Sequence, residues 1–241
     1  LEGISTVSAN EDDSLPSESE MDSFLLDLGM PSGTIENLTY FGKLEIFNTV
    51  DEDAVFDGYT EEDVYLPEEN DGDISLFSIP KSQLQLKVSG FKNSDGTYSI
   101  YPSFIWKTKN RLRNDTFSFV LDNNNWTTVA GNVGLNIHMV NATPGITDKF
   151  YYDRPSSSSY SGHRFQIPQN HGKTNHKHYE GHAHFKAKSK KSKVDKRIIL
   201  SYGNDTTSSG NLSYSVSIGI FSVSYSGGGK NLRTTSETLS W

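Results

Sequence analysis

Residues Gly181 to Lys193 read GHAHFKAKSKKSK, two histidines one residue apart running into a file of lysines. Alternate residues of a strand point to opposite faces. His182, His184, Lys186, Lys188 and Lys190 then share one face, and Ala183, Phe185, Ala187 and Ser189 share the other. His176, His178 and Glu180 continue the even row upstream. Ala and Phe suit a core, so the expectation is a buried Phe185 and a solvent-facing His/Lys row.

Three chemistries fit that row. Two histidines two apart on a strand can reach one metal ion, which makes His176, His178, Glu180, His182 and His184 the candidate ligands. The H-x-H-plus-Glu spacing of cupins is not met, however, and adjacent lysines repel a cation. The expectation is therefore no metal and no cofactor. The second chemistry is recognition of an anion. Lys186, Lys188, Lys190, Lys191, Lys193, Lys196 and Arg197 crowd into a short stretch, and such a charge density attracts phosphate-rich cell-wall polymers, anionic lipid headgroups or, less favoured here, nucleic acid. The third is protective, since lysines on an edge strand block edge-to-edge aggregation.

Other motifs are weaker. HGKT at His171–Thr174 lacks the earlier glycine of a phosphate loop, and Asn70–Asp73 and Asn93–Gly96 lack the final acid of a calcium loop. No nucleophile elbow is present, so no catalytic residue is assigned. NLSYSVSIGIFSVSYSG alternates small polar and apolar residues, as the inserting hairpins of pore-forming toxins do. Each arm is about six residues, below the roughly nine to eleven needed to cross a bilayer.

Charge is divided along the chain. Residues 1–75 hold 21 acids and one lysine, a net of −20; residues 76–241 hold 9 acids and 21 Lys/Arg, a net of +12; together they make the overall −8. Cysteine is absent, which excludes disulfides, thiol catalysis and thiolate metal sites. No apolar run approaches the ~18 residues of a spanning helix. Val7-Ser8-Ala9 reads as a signal-peptidase site, so residues 1–9 are expected to be the tail of a targeting segment or an expression remnant. Six N-x-S/T sequons occur, little more than 18 Asn and 51 Ser/Thr supply by chance. Export from a Gram-positive cell suits this composition.

The elements that position the row follow from periodicity. Residues 1–20 are acidic and Ser-rich, with disorder expected. Within a helical unit over 21–48, Met21, Phe24, Leu25 and Leu28 mark one helix capped by Gly29, and Thr34 to Phe47 a second. Residues 49–73 read as an acidic connector. From 74 to 241 the period is two, seen at Leu84/Leu86/Val88, Phe117/Phe119 and Val133/Leu135/Ile137/Met139. Seven to nine strands without long helices predict a mainly β fold, an antiparallel β-sandwich or jelly roll with a short N-terminal helical unit.

The segments SFLLDLGMPSGTIENL, YPSFIWKTK, NDTFSF, YEGHAHFKAKSKK and LSYSVSIGIFSVSYS resemble a group of uncharacterised secreted proteins of Gram-positive bacteria. That resemblance implies an extracellular or cell-wall location and β architecture, and carries no activity. The expected function is non-enzymatic binding of an anionic cell-surface polymer through the Lys/His strand, masked by the acidic N-terminal segment. A pore-forming or antimicrobial toxin is the alternative, and a metal-dependent hydrolase ranks third.

Overall fold

A computed structural model describes residues 15–63, 78–80, 82–108, 113–141, 147–167 and 176–241. The expectations for residues 1–14, Asn70–Asp73 and His171–Thr174 lie outside the described residues.

The first helix, α1 (Glu18–Asp27), starts with a capping box: Ser17 Oγ accepts from the Glu20 amide while the Glu20 carboxylate reaches back to Ser17. That cap brings helix inside the stretch expected to be disordered. At its other end Gly29 takes φ 86°, and Gly29 and Met30 donate to the carbonyls of Leu26 and Leu25. This Schellman closure needs a left-handed residue that glycine supplies without strain. The second expected helix is two: α2 (Ser32–Glu36) and α3 (Tyr40–Thr49). Thr39 divides them because its Oγ1 accepts from the Gly42 amide and starts α3 anew.

Among the described residues the named strands pair antiparallel. One sheet of six strands runs β1 (Val55–Asp63), β2 (Leu84–Lys92), β3 (Tyr98–Trp106), β9 (His176–Ser189), β5 (Trp126–Asn141) and β6 (Thr147–Tyr152). The other has five: β13 (Leu232–Ser240), β10 (Arg197–Asp205), β4 (Asp115–Leu121), β8 (Gly162–Ile167) and β7 (Ser157–Ser158). A hairpin of β11 (Tyr214–Ile218) and β12 (Val223–Gly227) stands apart. It lies against the five-stranded sheet, with Tyr214 donating to the Asn114 carbonyl and Tyr225 bonded to Ser201.

Aromatic rings join the two large sheets: Phe104 to Phe117 at 5.0 Å, Phe104 to Tyr202 at 4.8 Å and Phe119 to Phe185 at 5.0 Å between centroids. Their edge-on and offset geometry suits the ring quadrupoles. Gly181 makes room for this core, since a Cβ there would sit 2.2 Å from the Phe104 ring.

The strand layout differs from expectation in two places. The connector over 49–73 contains β1, paired with β2 along its length. The sheet therefore begins at Val55 rather than Ile74. β9 lies between β3 and β5 in the middle of its sheet, so its lysines do not guard an edge. The helical unit is a third layer: Leu25, Leu28, Met30, Ile35 and Ile46 form one apolar cluster with Phe91 of β2 and Tyr101 of β3.

Candidate functional site

The odd row of β9 points into the sandwich as expected, with Ala183, Phe185 and Ala187 buried. The even row points outward, beneath the helical unit for half its length. His182 is 5% exposed and Glu180 2%, which corrects the solvent-facing expectation for the start of the row. Alternation determines which residues share a face; it carries no information about the layer that covers that face.

Contacts across this interface are polar and specific. His182 Nε2 lies 3.3 Å from Glu180 Oε2 and 3.4 Å from Thr39 Oγ1. His184 Nδ1 lies 2.6 Å from Glu45 Oε1, and Asn136 donates its amide to Glu45 Oε2 at 2.6 Å. Glu45 is 5% exposed, and a buried carboxylate is tolerated only with such partners. Phe41 stacks on His138 at 3.8 Å between centroids. Lys186 Nζ holds both oxygens of Asp51, at 2.7 and 2.8 Å. Lys87 on β2 donates to the Asn37 carbonyl at 2.6 Å.

These partners shape the local electrostatics. Burial by itself raises the Glu180 carboxyl, but the hydrogen bond and charge of His182, with Thr39 and His178 adding, bring it below the usual value. Within the helical unit Lys43 lies 2.7 Å from both Glu18 and Asp22. Burial works against its charge, and the two acids outweigh it, raising the ammonium pKa.

Among the described residues no group of three His, Cys, Asp or Glu side chains is placed to hold an ion. His182 and His184 are engaged with Glu180 and Glu45, and the His176 side chain lies outside the described residues.

The basic cluster divides in three. Lys186 is tied to Asp51. Lys196 pairs with Asp57 at 2.6 Å and Arg197 with Asp195 at 2.5 Å. Lys188, Lys190, Lys191 and Lys193 are exposed, and among the described residues none of the four forms an ion pair. Lys190 and Lys191 instead contact Asn123 and Asn125 in the β4–β5 turn, at 2.6 and 3.0 Å. Asp95, in the β2–β3 turn, is held below the usual carboxylate range mainly by hydrogen bonds from Thr97, with smaller help from Lys186 and Lys188. The free positive charge is thus concentrated where β9 leaves the sheet.

Sequence reasoning missed Glu45, Asn136 and Asp51 as partners of the row. Glu45 stands in a helix whose neighbours are mostly apolar, and that placement was the available signal. It also missed a serine–histidine contact, Ser158 Oγ to His163 Nδ1 at 2.9 Å. Burial pulls the His163 pKa down to about 4, which makes its imidazole a feeble base at neutral pH.

No protein-family model and no curated protein matches the chain. Among solved structures it is similar to the collagen-binding domain of the Erysipelothrix rhusiopathiae surface protein RspB, with a TM-score of 0.34 and 11% identity. The match covers 62% of this chain and 48% of that one. No helix of the described residues is long and apolar enough to cross a membrane.

Proposed function

We propose that the protein is a secreted, non-enzymatic binder of an anionic cell-surface polymer, engaged through Lys188, Lys190, Lys191 and Lys193. The observation that supports this reading is the split of the β9 row. Its buried half is occupied by acids and hydroxyls of the helical unit, and its exposed end presents four lysines whose side chains meet no carboxylate among the described residues. Lysines clustered without acids raise the local concentration of a polyanion and release counterions when it binds. A phosphate-rich polymer of a Gram-positive wall has that chemistry. In this reading the acidic segment that follows α3 is an internal competitor, because Asp51 already pairs with Lys186, the lysine of the row nearest to it.

The test is binding of the full chain to purified teichoic acid across a salt series. Affinity is expected to fall on the order of tenfold or more between about 50 and 200 mM salt. Changing Lys188, Lys190, Lys191 and Lys193 together to Gln should remove most of the binding and flatten the salt slope. Unchanged affinity in that variant excludes the lysine cluster as the site.

A further inference from the structure

Beside the lysine cluster lies a cleft of about 400 Å³, between the C-terminal end of α3 and the β5–β6 side of the sheet. That volume falls within the roughly 300–1,000 Å³ of small-molecule sites. Two backbone features build it. The register of β5 against β9 shifts between Thr128 and Val133, and Gly131 within the shift takes φ 84°. Such a bulge bends the strand and re-aims its side chains. Gly134 follows, where a Cβ would lie 2.7 Å from the His184 ring and 3.1 Å from the Tyr151 hydroxyl. The missing side chain allows these two groups to converge on one wall.

The lining has a distinctive chemistry. Tyr151 is 56% exposed, an aromatic ring left largely uncovered at the rim. Asn132 and Asp153 present a planar amide and a planar carboxylate, each able to engage two hydroxyls. His184, which lines the cleft, turns Nδ1 to Glu45 at 2.6 Å, and that contact fixes the imidazole in place. Lys186 borders the cleft but is held by Asp51. With Asp153 present and Lys186 neutralised, the walls do not favour a phosphate group. A flat aromatic surface beside amide, carboxylate and imidazole suits a ring with apolar C–H faces and equatorial hydroxyls.

We propose that this cleft binds a neutral saccharide unit, the sugar of the anionic glycopolymer whose charged groups lie on the lysines; the assignment to a glycopolymer rests on the function proposed above. The two subsites lie in one line along β9. Two residues of strand advance about 6.6 Å, so Lys188 follows Lys186 at one step of that size and Lys190 lies just past the strand's end. A sugar seated against Tyr151 and His184 therefore leaves its linked anionic group within reach of Lys188.

Titration of the full chain with neutral oligosaccharides of glucose and of N-acetylglucosamine, followed by NMR, tests the cleft separately from the lysines. Saturable shifts at Tyr151 and His184 are expected with at least one of these sugars, with affinity changing less than about twofold across the salt range that weakens polyanion binding. Tyr151→Ala should weaken that binding at least tenfold, and Asp153→Asn should also weaken it; Lys188→Gln should leave it unchanged. Both cleft side chains are exposed, so circular dichroism and thermal unfolding should match the parent chain. No saturable shift with any of these sugars, or full affinity in Tyr151→Ala, overturns the saccharide assignment. A sugar-free polyphosphate completes the test. If it binds as tightly as teichoic acid of equal charge, the lysine reading stands and the cleft assignment falls. If neither polymer binds but a neutral sugar does, the lysine reading falls and the cleft remains.

Discussion

Asp115 is fully buried on β4, with Tyr202, Asn204 and the Asp205 amide all donating to its carboxylate. Burial nevertheless dominates and pushes its pKa up to about 7, with the charge of Asp205 adding. In the unfolded chain an aspartate ionises near 3.9. Between about pH 4 and pH 7 the unfolded state therefore loses this proton while the folded state keeps it, so this residue's contribution to stability falls as pH rises through that window. Asp115→Asn imitates the protonated carboxyl. Urea unfolding should find the variant close to the parent at pH 4 and more stable at pH 8, by on the order of 3–4 kcal/mol. A gap that does not grow with pH would show that the hydrogen-bond donors, rather than burial, govern Asp115. His163 acts in the opposite sense: its lowered pKa means stability present above about pH 6.5 and lost as pH falls towards 4.

At the scale of elements, α3 decides what the β9 row becomes. Its one deeply buried acid, Glu45, holds His184 and Asn136 together. Glu45→Ala leaves both partners unpaired beneath the helix, a loss of about 2–4 kcal/mol. By contrast Glu18→Ala removes one of two acids around Lys43 from a carboxylate whose side chain is 59% exposed, and should cost under about 1 kcal/mol. Denaturant unfolding checks the ratio, and hydrogen exchange checks the place: α3 amides should lose protection first in Glu45→Ala. Equal losses in the two variants would mean that the apolar contacts with Phe91 and Tyr101 alone hold the unit down. Those contacts also bear on truncation. A cut at Ile74 removes β1 and strips the edge of β2, so the sheet's own boundary lies near Val55.

The whole molecule brings a −20 segment and a +12 segment together, and among the described residues the lysine–carboxylate pairs between them are few and placed. Asp51 with Lys186, Asp57 with Lys196 and Glu61 with Lys87 each bridge the halves. If the acids compete with a polyanion, Asp51→Asn should free Lys186 and tighten polymer binding about twofold to fivefold at low salt, with the gain vanishing as salt rises. Affinity equal to or below the parent's would mean that the acids support the site without competing for it.

Period-two patterning made the inner row of β9, the strands around Leu86, Phe119 and Ile137, and the mainly β class legible from the chain alone. Period 3.6 with Gly29 did the same for α1. These are local signals, set by which way neighbouring side chains point. The acid-rich β1 and the Ser/Thr-rich β13 were not legible, because edge strands need little apolar alternation and reveal themselves through their partners. The seven cations looked like one uniform stripe for a similar reason. Acids remote in sequence, at Glu45, Asp51 and Asp57, meet the row only after the helical unit and β1 have packed, and that packing separates a buried His/Glu seam from an exposed lysine cluster. Even alternation along β9 follows from covalent geometry; what lies against each face depends on long-range burial, which no spacing along the strand encodes.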